Sequence, residues 1–373
     1  MIIFIMMKKY DYLIVGSGFF GSTFAYLMTK HYNKKCLVLE KRNHIGGNCY
    51  TENKDGIHIH KYGPHIFHTN SLKIWKFVNQ FADFNNFVNR PKVNYKDNIY
   101  SFPINLFSLY QIFGVKTPEE AKLKIESLRV KHDSPSNLEE WILNEVGVEL
   151  YEIFIKGYTS KQWGRDPKNL PSSIIKRLPI RFTFDDNHYQ DRYQGIPING
   201  YTQIFEKLLD GTEVVLETDY LSNKNYYNSI ADKVVYTGPT DAYYDYQFGK
   251  LEYRSLKFET EKLNVSDYQG NAIINYTHKN IPYTRIVEHK HFDFINCNYT
   301  YITKEYPSEF NNISDPYYPI NDEINNNLYK KYNDLKNKEN NIIFGGRLTE
   351  YKYYDMHQII AAAMKSVEKE INL

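Results

Sequence analysis

Several features that would narrow the function of a protein are scarce in this sequence. Cysteine occurs only at Cys36, Cys49 and Cys297, and these residues form no CxxC pair. This argues against a disulfide framework and a zinc site, so we predict no metal and a reducing, cytoplasmic compartment. An excess of one charge is also lacking, because 46 lysines and arginines face 44 aspartates and glutamates. No overall field favours a nucleic-acid partner, and we expect local arginines to hold any anionic ligand.

Long apolar runs are absent as well. The apolar opening at residues 1–7 is too short for a signal peptide or a membrane span, and no other stretch approaches the roughly 18 residues that a span needs. Aromatic residues, in contrast, make up 16% of the 373 residues and include 35 tyrosines. Codon bias is the simplest explanation for most of these tyrosines, since asparagine, lysine and isoleucine are also abundant. The length predicts two or three domains.

A strand, a glycine-rich turn and a helix open the chain. The apolar Tyr10–Val15 segment is typical of a buried parallel strand, and the GxGxxG sequence GSGFFG follows it at residues 16–21. A helix over 20–31, a second strand over Cys36–Leu39 and then Glu40 complete the pattern. Glycines let the backbone approach a pyrophosphate, the helix N-terminus attracts it, and the acid accepts hydrogen bonds from a ribose. We therefore predict a Rossmann-like dinucleotide-binding domain, with NAD and FAD both open at this point.

Helical patterns dominate between about residues 70 and 160. Thr117 with Glu120, and Ser136 with Glu139, have the spacing of capping boxes that start helices. The proline-rich segment 168–179 predicts a loop or a broken helix, and such loops often cover active sites. His60, His65 and His68 have no matching carboxylate pattern, so hydrogen-bonded packing is the simpler interpretation of these side chains.

The second half of the chain predicts an antiparallel sheet and then a return to the first domain. Strand-like runs occur at 253–260, 271–277, 284–289 and 299–304, and 311–341 is an asparagine-rich loop with a short helix. A strand at 341–345 and a helix from about Asp355 complete the first sheet.

These patterns predict an α/β fold with three parts. Residues 1–70, about 200–245 and 340–373 form a discontinuous Rossmann-like dinucleotide-binding domain. A helical domain occupies about 71–180 and contains a mobile loop at 165–183, and an antiparallel sheet domain occupies about 181–199 and 246–339.

Separated motifs along the whole chain resemble one family, the bacterial UDP-galactopyranose mutases. The EKRNHIGGN segment at 40–48 is similar to a flavoprotein motif. The others are YGPHIFHT (62–69), FPINL (102–106), GYTSKQWG (157–164), KRLP (176–179), FDDN (184–187), QGIP (194–197), YTGP (236–239), YTR (283–285), PYYP (316–319), and GR and DM at 346–347 and 355–356.

This resemblance implies an isomerase that contains FAD in its reduced form and causes no net redox change. In the family, a flavin nitrogen attacks the anomeric carbon of a UDP-sugar, UDP leaves, and the sugar ring reopens and closes as its pyranose or furanose form. The resemblance also implies a homodimer and a role in making a cell-surface polysaccharide.

The resemblance assigns roles to individual residues. The catalytic residues it implies are Arg177 and Arg285, which hold the diphosphate of the substrate. The substrate-binding residues it implies are Phe154, Tyr158, Thr159, Trp163, His188, Asn275, Tyr318, Tyr353 and His60. The cofactor-binding residues it implies are Gly16, Gly18, Phe19, Gly21, Glu40, Lys41, Gly46, Gly47, Asn48, His65, Gly238, Arg347, Asp355 and Met356.

One position departs from the family pattern. His188 stands where the family commonly has a tyrosine after Asp-Asp-Asn. The sugar could therefore be another UDP-pyranose, either N-acetylated or a pentose. Two functions of a different class stay open as well. One is an FAD-dependent oxidoreductase of the amine-oxidase type, which shares the N-terminal motifs, and the second is a non-enzymatic flavin-binding protein.

Overall fold

The computed structural model describes residues 9–175, 178–311 and 315–372. The apolar opening at 1–7 and the predicted catalytic Arg177 lie outside these described residues.

Eleven α-helices occur in the described chain. They are α1 (Phe19–Tyr32), α2 (Leu72–Val78), α3 (Leu106–Phe113), α4 (Pro118–Leu128), α5 (Leu138–Leu150), α6 (Gly157–Trp163), α7 (Thr202–Leu208), α8 (Lys224–Ser229), α9 (Thr240–Tyr243), α10 (Glu323–Lys336) and α11 (Met356–Ile371). A π-helical segment, Tyr151–Lys156, joins α5 to α6.

Sixteen strands occur in the same described ranges. They are β1 (Tyr10–Val15), β2 (Cys36–Leu39), β3 (Thr51–Lys54), β4 (Ile57–His60), β5 (Phe67–Thr69), β6 (Lys92–Tyr95), β7 (Asn98–Ser101), β8 (Tyr193–Gly195), β9 (Glu213–Val215), β10 (Ala231–Tyr236), β11 (Tyr253–Leu263), β12 (Ile273–Tyr276), β13 (Arg285–Glu288), β14 (Thr300–Glu309), β15 (Tyr318–Pro319) and β16 (Ile342–Phe344).

A parallel sheet forms the Rossmann-like part of the molecule. Its strand order is β16-β10-β1-β2-β9, and every neighbouring pair is parallel. Ile14 and Val38 face a core shared with α1 and α11, whereas Leu13 and Leu37 face a second core on the other side. Both faces are therefore covered, which explains why β1 and β2 are almost wholly apolar. The predicted return of the chain through β16 and α11 is confirmed.

A larger mixed sheet lies beside the first. Its order is β15-β11-β14-β13-β12-β6-β7, and all neighbours are antiparallel except β12 and β6. The four predicted strands of the second half are confirmed as β11 to β14. The region after β14 contains α10, which at 14 residues is longer than the short helix predicted.

The segment predicted to be helical also contains strands. Residues 92–101 form the hairpin β6–β7, so the helical prediction for 71–180 is wrong there. Lys96 and Asp97 turn the hairpin with φ values of 51° and 63°, and this pair is a weaker turn signal than Asn-Gly. In the predicted sheet domain, the segment 181–199 contributes β8, which pairs with β5 instead of joining the larger sheet.

The capping predictions are confirmed at one helix and corrected at another. Thr117 and Glu120 form the capping box of α4. At α5 the N-cap is Asn137, whose side chain accepts from the Glu140 N–H, so the predicted box at Ser136 and Glu139 is one residue early. The Ser136 hydroxyl instead donates to the Glu140 carboxylate at 2.8 Å. Asparagine is a strong N-cap, which explains the one-residue shift.

In the part of the chain that the structure describes, no helix has the length and apolar character needed to cross a membrane.

Candidate active site

A cavity of about 1350 Å³ lies between the two large sheets and the helical segment around α6. It is continuous from the glycine-rich turn after β1 to the strands β12, β13 and β14. One chamber therefore connects the Rossmann-like part with the larger sheet, and it is large enough for two ligands to lie end to end.

The glycines of the first turn shape one end of this cavity. A Cβ on Gly21 would lie 2.0 Å from the main-chain oxygen of Gly16, so only glycine allows α1 to begin so close to β1. A Cβ on Gly18 would meet no atom of the protein within 4 Å, and Gly18 has an ordinary extended conformation. Gly18 also caps α1 without a side-chain hydrogen bond. The N–H groups of the first helical turn thus face an open space that suits a pyrophosphate.

Glu40 lies beside this turn and braces it. One of its carboxylate oxygens accepts from the Ser17 N–H at 2.9 Å and from the Ser17 hydroxyl at 2.6 Å, and the other accepts from the Arg42 N–H at 2.9 Å. Each carboxylate oxygen has two lone pairs, so capacity for a ribose hydroxyl remains.

Arg42 connects the end of the cavity at the glycine-rich turn to a distant loop. Its guanidinium lies 4.0 Å from the centre of the Tyr62 ring, donates to Asn48 at 2.9 Å and pairs with Asp315 at 2.7 Å. Asp315 precedes β15, which carries Tyr318. Arg42 therefore helps to hold the segment that carries Tyr318 against the cavity.

Strand register builds the opposite end of the cavity. Asn275 on β12 is directly opposite Arg285 on β13, and Arg285 is directly opposite Glu305 on β14. Residues in one row across a sheet point to the same face. The amide, guanidinium and carboxylate therefore lie side by side on the cavity wall.

Arg285 is held by two partners in this row. Its Nη2 donates to the Tyr158 hydroxyl at 2.6 Å, and its Nε lies 3.2 Å from Glu305 Oε2. Burial disfavours the charge, but Tyr158 and Glu305 outweigh it and hold the pKa of Arg285 well above its ordinary value. Burial raises the pKa of Glu305, and Arg285 offsets part of this increase. The site thus presents a permanently charged arginine to a ligand.

Aromatic side chains form a wall beside Arg285. Tyr158 on α6 and Phe154 in the π-helical segment line the cavity, and Phe154 lies nearly parallel to Phe102 with ring centres 6.1 Å apart. His188 packs near the same Phe102 ring at 6.3 Å. Flat apolar surfaces of this kind suit the stacking of a nucleobase.

A second aromatic pair faces the wall. Tyr318 and Tyr353 stack with ring centres 5.7 Å apart and planes 11° apart, and Trp163 lies 6.5 Å from Tyr318. Burial raises the pKa of Tyr318, so its hydroxyl keeps its proton and can donate to an anion.

Two histidines at or beneath the cavity wall, His60 and His65, are neutral and have fixed tautomers. Burial lowers the pKa of His65 to about 4, and its Nδ1 donates to the Gly63 carbonyl at 2.8 Å, which leaves a lone pair on Nε2. The main-chain N–H of His65 donates to Nδ1 of His60 at 3.0 Å. Burial also lowers the pKa of His60 well below its ordinary value. These two histidines therefore contribute hydrogen bonds and shape, not positive charge, at neutral pH.

The structure brings almost all of the predicted site residues to this one cavity. The lining includes Gly16, Gly18, Phe19, Gly21, Glu40, Lys41, Gly46, Gly47, Asn48, His65, Gly238, Arg347, Asp355 and Met356, together with Phe154, Tyr158, Thr159, Trp163, His188, Asn275, Arg285, Tyr318 and Tyr353. His60 is the exception among the described residues. It is 1% exposed and packs beneath the surface against Phe292 and Tyr201.

Two residues of the site carried no assigned role in the sequence analysis. Glu305 is 2% exposed and lines the cavity, but both faces of β14 are partly buried, so no alternation marks it. Lys161 is part of the GYTSKQWG segment, and its ammonium donates to main-chain carbonyls. The sequence signal that could have identified Lys161 is its position in a motif whose other side chains are aromatic or polar and uncharged.

Comparisons with known proteins agree with the fold and the position of the cavity. The family model described as UDP-galactopyranose mutase matches residues 153–353, and the model described as an NAD(P)-binding Rossmann-like domain matches residues 14–81. A solved structure of reduced UDP-galactopyranose mutase has a TM-score of 0.79 at 13% identity, with 98% of this chain and 94% of that chain covered.

Two curated relatives span nearly the whole chain. A dTDP-fucopyranose mutase from Escherichia coli is 39% identical over 95% of this chain and 97% of its own length. A probable UDP-galactopyranose mutase from Klebsiella pneumoniae is 40% identical over 97% of this chain and 95% of its own length.

Proposed function

Because the chain belongs to the UDP-galactopyranose mutase family of isomerases, we propose that it interconverts UDP-galactopyranose and UDP-galactofuranose with reduced FAD and no net redox change. The observation that carries this proposal is the single cavity. At one end it has a glycine-lined helix N-terminus, and at the other it has Arg285 beside an aromatic wall.

The cofactor end suits FAD. The open space at Gly18 and the N–H groups of α1 would hold the pyrophosphate, and Glu40 would accept from the adenosine ribose. Gly46 and Gly47 pack against the same turn, since a Cβ on Gly47 would lie 3.2 Å from the Gly18 Cα. A reduced flavin held there would supply a nucleophile for the anomeric carbon with no net redox change.

The residues of the other end bind the nucleotide and stabilise its departure. Arg285 would donate two parallel hydrogen bonds to the diphosphate, which becomes more negative as the sugar leaves. Tyr158 and Phe154 would stack on uracil, and Tyr318 and Tyr353 would donate to phosphate oxygens. Arg177 is proposed as a second diphosphate arginine on the basis of the family motif.

The protonation states also favour this chemistry. His65 is neutral at pH 7, because its pKa is about 4, and its Nε2 lone pair can accept a hydrogen bond in the cavity. Arg285, the described arginine of the nucleotide end, keeps its charge throughout the working pH range.

A second candidate is a mutase for a different nucleotide sugar. Two observations favour it: the similar identity to the dTDP-fucopyranose mutase, and His188 in place of the family tyrosine. An imidazole is shorter than a phenol and changes the space available to the sugar. The N-acetylated and pentose forms of a UDP-pyranose belong to the same candidate.

The test is a product assay on the purified protein. We expect a flavin absorption spectrum and, after reduction with dithionite, conversion of UDP-galactofuranose to UDP-galactopyranose detected by chromatography. Parallel reactions with dTDP-fucopyranose and with UDP-pentoses rank the candidates by kcat/KM. Turnover of none of these substrates by the reduced protein would remove the mutase proposal.

An oxidoreductase would behave differently in this assay, because an oxidase consumes oxygen or another acceptor in proportion to product. The expected homodimer is checked by light scattering, which should give about twice the 44.3 kDa chain mass. Cytoplasmic location and a role in cell-surface polysaccharide synthesis complete the proposal.

A further inference from the structure

A partly buried lysine lies behind the aromatic wall and is not one of the residues that line the cavity. Lys161 is on α6, three residues after Tyr158. Its Nζ lies 2.7 Å from the main-chain oxygen of Tyr276 and 2.9 Å from that of Ile281, with a further 2.9 Å contact to Tyr283. A fourth oxygen, from His278, lies at 3.2 Å. We name these four oxygens the carbonyl cage.

The carbonyl cage belongs to the turn between β12 and β13. Asn275 lies one residue before its first oxygen, and Arg285 lies two residues after its last. An ammonium ion has three protons, so the four carbonyls use its full donor capacity. One side chain thus holds together a turn whose two ends carry cavity residues.

Helix α6 and the π-helical segment before it make two more contacts with this turn. A Cβ on Gly157 would lie 2.1 Å from the main-chain oxygen of Thr277, so glycine is needed for the close approach. The Thr277 hydroxyl donates to the Ile153 carbonyl at 2.5 Å. Ile153, Gly157 and Lys161 are spaced four residues apart, and all three contact the turn.

Simple packing does not require a lysine at this position. Burial lowers the pKa of Lys161 to about 8, so the ammonium remains charged at pH 7 but is costly to bury. An apolar side chain would fill the space without this cost, but it could not satisfy four main-chain oxygens. The charge therefore specifies one position of the helix on the turn.

We propose that Lys161 is a positioning residue of this site, which holds α6 on the β12–β13 turn and so fixes the Tyr158 hydroxyl against the Arg285 guanidinium. The contact that it fixes is the 2.6 Å hydrogen bond between these two side chains. This inference rests on the proposed function only in assigning nucleotide binding to Tyr158 and Arg285.

The experiment uses the flavin-loaded protein and UDP as the probe. In Lys161→Met the chain length is kept and the charge is removed. We expect flavin content to stay as in the wild type while the Kd for UDP, measured by calorimetry, rises about tenfold or more. The matched control is Lys156→Met, five residues before Lys161, which removes an exposed ion pair with Glu152 and should leave the Kd for UDP unchanged.

A double-mutant cycle separates positioning from general stability. If Lys161 acts through Tyr158, then Tyr158→Phe weakens UDP binding in the wild type but has little further effect in Lys161→Met. Additive effects, or wild-type UDP affinity in Lys161→Met, would overturn the inference. If Lys161→Met yields no folded protein, Thr277→Val removes the neighbouring attachment and should weaken UDP binding about threefold; unchanged binding there would overturn the inference equally.

Failure of the proposed function has a separate signature. Wild-type protein that binds no UDP contradicts the nucleotide site itself. Wild-type protein that binds UDP with the same affinity as Lys161→Met contradicts only the role of Lys161.

Discussion

Among the described residues, Arg285 is the arginine that we propose to bind the diphosphate at the nucleotide end. Arg285 is paired with Glu305 and Tyr158, so its guanidinium is oriented before any ligand arrives. Groups oriented in advance need little reorganisation when charge develops on a leaving phosphate.

The predicted consequence is a large kinetic effect without loss of the cofactor. We expect Arg285→Ala to lower kcat/KM by about 10² or more while flavin content stays normal. Arg285→Lys should recover little of this loss, because an ammonium cannot form the same two parallel hydrogen bonds. Arg129→Ala, which breaks an exposed pair with Glu126, is the control. Steady-state kinetics of the reduced enzyme provide the measurement, and near-normal turnover of Arg285→Ala would remove this residue from the mechanism.

His188 is the residue at which we expect sugar preference to change. It lines the cavity near Phe102. Replacing it with the family residue, in His188→Tyr, should change the ratio of kcat/KM between two nucleotide sugars by about tenfold. Competition between UDP-galactofuranose and a UDP-pentose in one reaction measures that ratio directly. An unchanged ratio would identify His188 as a bystander.

At the scale of the elements, the β1–α1 turn contains one glycine that the fold requires and one that only a ligand would require. Gly21 is required by the fold, because its Cβ would overlap the Gly16 carbonyl. Gly18 has no such requirement, since the space beside it contains no protein atom.

We therefore expect Gly18→Ala to change the unfolding free energy of the flavin-free protein by no more than about 0.5 kcal/mol. Its affinity for FAD should nevertheless fall about tenfold or more, because a methyl group would occupy the place of the pyrophosphate. Thermal unfolding of the flavin-free protein and FAD titration measure the two quantities. A Gly18→Ala variant with wild-type FAD affinity would show that the dinucleotide does not approach this turn.

The loop between β11 and β12 is held by one buried carboxylate. Glu288 accepts from the main-chain N–H groups of Tyr268 and Gln269 at 3.0 and 2.9 Å. Burial alone would raise the pKa of Glu288, but hydrogen bonds from His291 and from these N–H groups outweigh it and lower the pKa to about 2. A carboxyl with a lowered pKa stabilises the fold above its unfolded pKa, and this contribution is lost as pH falls towards 2.

The corresponding prediction concerns acid stability. Glu288→Gln should lower the unfolding free energy at pH 7 by about 2 kcal/mol and flatten its fall between about pH 4.5 and pH 2. Urea unfolding at a series of pH values measures this, with the exposed Glu149→Gln as control. If the unfolding free energies of the wild type and Glu288→Gln fell equally as the pH was lowered, the stabilising role of the Glu288 carboxylate would be contradicted.

The elements also show what could be predicted from the sequence. Strands β1 and β2 were predictable because they are apolar runs buried on both faces, and β1 also ends at a glycine-rich turn. The β6–β7 hairpin was missed because its turn is Lys96-Asp97 and its strands are short. Its place in the larger sheet depends on pairing with β12, about 180 residues later, and local sequence does not contain that pairing.

At the scale of the whole molecule, the site is assembled from all parts of the chain. Glycines near the N-terminus, α6, the row Asn275, Arg285 and Glu305, and the segment before α11 meet at one cavity. Most of these residues could be predicted as site residues from sequence motifs alone. The partners Glu305 and Lys161 could not be assigned in this way, because their roles depend on strand register and on a turn that folds around an ammonium ion.

The central claim is that this cavity isomerises a nucleotide sugar without consuming electrons. The most direct test is to reduce the flavin once with one equivalent of dithionite under anaerobic conditions, add UDP-galactofuranose, and measure product against electrons supplied. We predict many turnovers for each reduced flavin, with the flavin still reduced at the end. Product that stops at one equivalent for each reduced flavin, or that appears only with oxidised flavin and an electron acceptor, would contradict the account.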